Sequence, residues 1–93
     1  MAEFKNLGLY LKEKRIEHGY TQAELAEELG DVHSQFVSNW ERGVCAPPGH
    51  CFQYLIEVLK LNREKLIHVM LTDSKLLIEA KVMKKKSRSR RSA

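Results

Sequence analysis

Between Ser34 and Trp40 the chain reads SQFVSNW, and four of these seven residues, Ser34, Gln35, Ser38 and Asn39, carry uncharged hydrogen-bonding side chains. On a helix they point outward, while Val37 and Trp40 fall on the side that is buried. Gln and Asn each offer a donor and an acceptor side by side, which matches N6 and N7 on the edge of adenine. An ordinary surface helix would more often carry Lys and Glu at such positions. The chemistry to expect is recognition by hydrogen bonding.

Other reactive side chains do not assemble into a set. His18, His33, His50 and His68 are scattered, and no Ser, Cys or carboxylate stands with them in a motif. No catalytic residues and no enzymatic activity are therefore expected. Cys45 and Cys51, with His50 between them, invite a zinc or redox reading. Six residues of separation across Pro47-Pro48 lack the tight Cys-x2-Cys knuckle, and a fourth ligand would have to be His33 or His68. Two reduced thiols, no metal and no cofactor are expected.

The elements that must position the Ser34–Trp40 segment follow from periodicity and punctuation. Leu7 and Leu11 repeat at four residues, and Gly19 ends a first helix over about residues 4–18. Thr21-Gln22-Ala23-Glu24 fits a capping box that opens a second helix, with Leu25, Ala26 and Leu29 on its buried stripe and Gly30 at its end. Phe36, Val37 and Trp40 recur at helical spacing in a third helix that stops near Gly43. Pro47-Pro48 cannot continue a helix, so Cys45 to Pro48 is a loop. A fourth helix over about residues 49–60 aligns Phe52, Leu55, Ile56 and Leu59. Asn62 caps a fifth, which presents Leu66, Ile67 and Met70. Thr72-Asp73-Ser74 reads either as a break with a new cap or as a polar turn inside one long helix. Beyond it Leu76, Leu77, Ala80 and Met83 form another apolar stripe.

Composition sets the class. The chain has 93 residues, enough for one modest core, and its hydrophobic fraction of 43% excludes wholesale disorder. The net charge of +4 is a matter of placement: residues 84–93 hold six of the sixteen Lys and Arg, which leaves ten basic and twelve acidic residues, net −2, in the body. Nucleic-acid binding by the body must then rest on local geometry rather than on overall charge. The opening MAEFKNLG has no apolar run behind a basic stretch, and no segment approaches the ~20 apolar residues of a membrane span. A cytoplasmic protein, without membrane contact, is expected.

The segment YTQAELAEELGDVHSQFVSNWERG, residues 20–43, resembles the Cro/C1-type helix-turn-helix regulators, the XRE family that includes lambdoid phage repressors. The resemblance is carried by Lys14-Arg15, Thr21-Gln22-Ala23-Glu24-Leu25-Ala26, Leu29-Gly30 and Ser38-Asn39-Trp40-Glu41-Arg42-Gly43. Pro47-Pro48, with Leu55, Leu59 and Leu66 behind it, also fits. It implies an all-α, compact five-helix, lambda-repressor-like domain over residues 4–71, here with a helical extension at 72–83 and a basic disordered tail at 84–93. It also implies binding of double-stranded operator DNA, commonly by a homodimer on a two-fold site. By position, Ser34, Gln35, Ser38 and Asn39 would face base edges, and Gln22 and Arg42 would contact phosphates. Arg15 and Glu41 would form a structural ion pair. The turn Gly30-Asp31-Val32-His33 is about one residue longer than the family's commonest form, so His33 would either cap the third helix or touch a phosphate.

The resulting expectation is a sequence-specific transcriptional regulator associated with the nucleoid through DNA, without a small-molecule ligand. Its rivals are an antitoxin or controller component with a protein partner, an interaction module that uses the same fold to bind protein or RNA, and a redox or metal sensor using Cys45 and Cys51. The 74–83 stripe is expected either to pair with a second copy or to fold back on its own subunit. The tail is expected to act as a nucleic-acid-binding arm or as a solubilising end.

Overall fold

A computed structural model describes residues 3–30 and 32–89, with side chains described as far as residue 83. Five helices follow one another: α1 (Lys5–Glu17), α2 (Gln22–Glu28), α3 (Ser34–Glu41), α4 (Gly49–Val58) and α5 (Arg63–Ser89). The described residues contain no strand. None of their helices is long and apolar enough to cross a membrane.

Local signals account for most of the boundaries. Thr21 Oγ1 accepts from Glu24 N at 3.0 Å while Glu24 Oε1 accepts from Thr21 N at 2.8 Å, so the capping box closes in both directions. Asn62 Oδ1 caps α5 through Lys65 N at 2.9 Å. Helix α3 ends in a Schellman turn, where Gly43 N bonds Trp40 O and Val44 N bonds Asn39 O. Gly43 has φ +77°, and a Cβ there would lie 2.9 Å from the backbone of Lys5. Both conformation and space require glycine. The same carbonyl region anchors the N-terminal approach, because Phe4 N donates to Gly43 O.

The core is built from one stripe of each helix: Leu7, Tyr10 and Leu11 of α1, Leu25 and Ala26 of α2, Val37 and Trp40 of α3, Cys51 and Leu55 of α4, Leu66 and Val69 of α5. Trp40 is a core residue, 3% exposed. Helix α1 lies against both α3 and α5, and Gly8 permits the first of these contacts. A Cβ on Gly8 would fall 2.5 Å from the carbonyl oxygens of Trp40 and Glu41. The backbones of α1 and α3 therefore meet directly.

Two expectations need correction. Ile67 is exposed, because the inward face of α5 is set by Leu66, Val69 and Asp73, at spacings of three and four. Phe36 is likewise exposed, since Val37, Trp40 and Glu41 define the inner face of α3.

Thr72-Asp73-Ser74 lies inside α5 without interrupting it. Asp73 is 4% exposed, and its carboxylate accepts from Asn6 N, Asn6 Nδ2 and Leu7 N, each at 2.9 Å. Helix α1 has no capping side chain of its own and no acid in its first turn. Asp73 supplies both the acceptor and the negative charge that the start of α1 needs. Past Asp73 the helix leaves the body. Leu76, Ile78, Val82 and Met83 are more than half exposed and Ala80 is exposed, while Leu77 is half-buried. The side chains of the basic segment 84–93, and all of residues 90–93, lie outside the described residues.

Asp73→Ala should strand three donors and cost about 2–3 kcal/mol, equivalent to roughly 10–20 °C in melting temperature for a domain of this size. Asp73→Asn should lose less, since its amide oxygen can still accept. Thermal and urea unfolding followed by circular dichroism measure both. An alanine variant within about 0.5 kcal/mol of wild type would mean that α1 finds other partners.

Candidate functional site

The site is the outward face of α3 and the elements that fix its direction. Eight helical residues rise about 12 Å, the length of three to four stacked base pairs. Ser34 and Gln35 are exposed at the start of this helix, Ser38 and Asn39 are half-buried along it, and Arg42 is exposed at its C-cap. His33, at the N-cap position, is exposed and makes no capping hydrogen bond with its side chain. The ring of His33 instead stands edge-on to Phe36, with centroids 6.4 Å apart.

The polar side chains on this face are linked. Asn39 Oδ1 accepts from Gln35 Nε2 at 3.1 Å and from an Arg42 guanidinium nitrogen at 2.5 Å. Both lone pairs of that oxygen are thereby engaged. The Asn39 amide nitrogen and the Gln35 carbonyl oxygen make no side-chain hydrogen bond among the described residues. The network orients two amides toward solvent, and a bidentate contact from Asn39 would exchange one internal bond for an external one. Ser34 and Ser38 stand on the same face but outside this network.

Behind the face, Glu41 is 7% exposed and receives three donors from two elements. Arg15 Nε donates to Oε2 at 2.5 Å, while Arg15 Nη2 donates to Oε1 at 3.1 Å, a two-pronged pair from α1. Gln22 Nε2, at the first residue of α2, donates to Oε1 at 2.9 Å. The remaining guanidinium arm of Arg15 donates to Tyr20 O at 2.7 Å and holds the α1–α2 turn. One carboxylate thus joins α1, α2 and α3. The amide of Gln22 is half-buried against it in this state.

The thiols sit elsewhere. Cys51 is buried in the core, where desolvation pushes its thiol up, and Cys45 is exposed in the loop after α3. Among the described residues no three metal-ligating side chains converge.

Sequence reasoning missed three contributors. Asp73 read as part of either a helix break or a polar turn inside one long helix, Gly8 stood unremarked inside α1, and Phe36 was aligned with Val37 and Trp40. For Gly8 a signal existed: a glycine inside an otherwise good helical pattern marks a close approach.

Residues 11–55 match the family model described as Helix-turn-helix, a span that contains the whole of α2, the following turn and α3. No curated protein and no solved structure matches the chain.

Glu41→Ala should destabilise the domain by about 3–5 kcal/mol, because it leaves the Arg15 guanidinium enclosed without its partner. Arg42→Ala, at an exposed site, should stay within about 0.5 kcal/mol. Urea denaturation of the two variants tests the contrast, and equal losses would refute the division between a framework behind α3 and a working face in front of it.

Proposed function

Residues 11–55 belong to the Cro/C1-type helix-turn-helix (XRE) family, and from that membership we propose that the protein is a sequence-specific DNA-binding transcriptional regulator that sets α3 in the major groove. The observation that carries this reading is the Gln35–Asn39–Arg42 network on the exposed side of a helix whose other side is locked. Side-chain amides held at fixed angles suit adenine edges. Ser34 and Ser38 lie within reach of adjacent base edges on the same face. In this reading His33 at the helix start and Arg42 at its end meet phosphates on either side of the groove, and Gln22 does so on exchanging its bond to Glu41. The protein acts in the cytoplasm, where its operator is.

A homodimer completes the reading. Beyond Asp73, α5 carries Leu76, Leu77, Ala80 and Met83 away from the body as a helical arm, and a second copy offers the same stripe in return. Two such domains would present two α3 helices to a two-fold site. The basic residues 84–93 add contacts to neighbouring phosphates without sequence preference.

Gln35→Ala and Asn39→Ala should each cost about 1–3 kcal/mol at the preferred site and flatten selectivity at one or two base positions. Gln22→Ala and Arg42→Ala should weaken preferred and random DNA by similar factors. Selection from a random duplex pool, followed by titration of the four variants, measures both. Unchanged selectivity in the first pair would remove α3 as the reading element.

Ending the chain after Lys75 keeps the Asp73 cap but deletes the arm. The shortened protein should sediment as a monomer, at about two-fifths of the mass of the full-length dimer, and bind a two-fold site far more weakly, with binding to a half-site little changed. Equal sedimentation of the two chains would place the interface elsewhere.

A further inference from the structure

Phe36 is an anomaly on the recognition face. It is 52% exposed, on a helix whose other outward residues are all polar, and nothing in the core requires a ring there. At about 100° per residue it lies about 60° around the helix from Asn39 and about 100° from Gln35, on the flank opposite Ser34. The edge contact with His33 steadies the ring beside the start of α3. An aromatic side chain left in water loses the gain of burial, so its place among hydrogen-bonding residues calls for an apolar occupant of the surface they face.

Resting on the reading of α3 as the recognition helix, the geometry points to Phe36 as a specificity-determining residue that takes the C5-methyl group of thymine. The base edges of the major groove are otherwise donors and acceptors, and the thymine methyl is their apolar feature. A phenyl ring pressed on the N4 amino group of cytosine, or on N7 and O6 of guanine, would desolvate them without offering a hydrogen bond. Against thymine it covers a methyl group. The ring and the amide of Asn39, three residues on, then read neighbouring positions by different physics. One requires adenine through hydrogen bonds, and the other requires thymine through contact. The preferred half-site therefore contains a thymine next to the adenine that Asn39 reads.

Replacing thymine by deoxyuridine removes only the methyl group and leaves every hydrogen-bonding group in place, so it isolates this contact. The preferred duplex is first selected with the full-length protein from a random pool. Each thymine is then replaced in turn, and affinity is measured by fluorescence anisotropy. Wild type should lose about four-fold at one thymine per half-site, the effect of one methyl group no longer buried. Phe36→Ala should bind the thymine and deoxyuridine duplexes equally and keep its preference at the adenines. Phe36→Leu, still apolar, should retain the discrimination. Because Phe36 is exposed, both variants should keep the wild-type melting temperature within a few degrees.

Discrimination that survives in Phe36→Ala would assign the methyl contact to another residue and overturn the proposal. A selected duplex on which deoxyuridine is tolerated everywhere would overturn the Phe36 assignment while sparing the recognition helix. If Phe36→Ala then also lowered the sedimenting mass, the ring would belong to a protein contact. Failure to select any duplex would overturn both readings together.

Discussion

Glu41 is the residue on which the arrangement of the first three helices turns. A carboxylate 7% exposed would be costly to bury alone, and here it is met by both prongs of Arg15 and by Gln22. The exchange fixes geometry as well as charge. Arg15 can reach Glu41 and the carbonyl of Tyr20 together only when α1, its following turn and the end of α3 keep one relative placement. Gly8 then lets α1 and α3 come close enough for the pair to form out of water. The polar face of α3 owes its direction to an interaction made on the opposite side of that helix.

A division of labour follows between neighbours in sequence. Trp40 and Glu41 face the interior, Asn39 and Arg42 face outward, and Gly43 closes the helix against the start of α1. Five consecutive residues thus hold core, framework, the proposed working surface and turn. The proposed interface can vary at Ser34, Gln35, Ser38 and Asn39 without disturbing the core, since none of them takes part in the Arg15–Glu41 pair.

Local chemistry was the legible part. The capping box at Thr21 and Glu24, the Asn62 cap, the glycine at the end of α3 and the inward leucines were all open to sequence reasoning, because each depends on residues within one or two turns. What escaped it depends on contacts distant in sequence. Asp73 reads as a polar residue in a turn until the amides of Asn6 and Leu7 are known to lie beside it. Phe36 and Ile67 look like core by type, and only the docking of α3 and α5 shows that each sits beside the buried stripe rather than in it. The polar face of α3 was legible as a set, but its internal wiring through Asn39 Oδ1 was not.

The Asp73 contact also orders the assembly of the chain in time. Its partners stand 66 and 67 residues away, whereas Arg15 and Glu41 are 26 apart. Closing the longer loop costs about 0.8 kcal/mol more in chain entropy, and the carboxylate exists as a folding partner only once the 66 residues after Leu7 have been made. On a ribosome, α1 emerges well before the Asp73 carboxylate that satisfies its amino end. In pulsed hydrogen exchange the amides of Asn6 and Leu7 should gain protection after those of α2 and α3, and early protection there would contradict this order. The helix at the front of the sequence is finished by the one at the back.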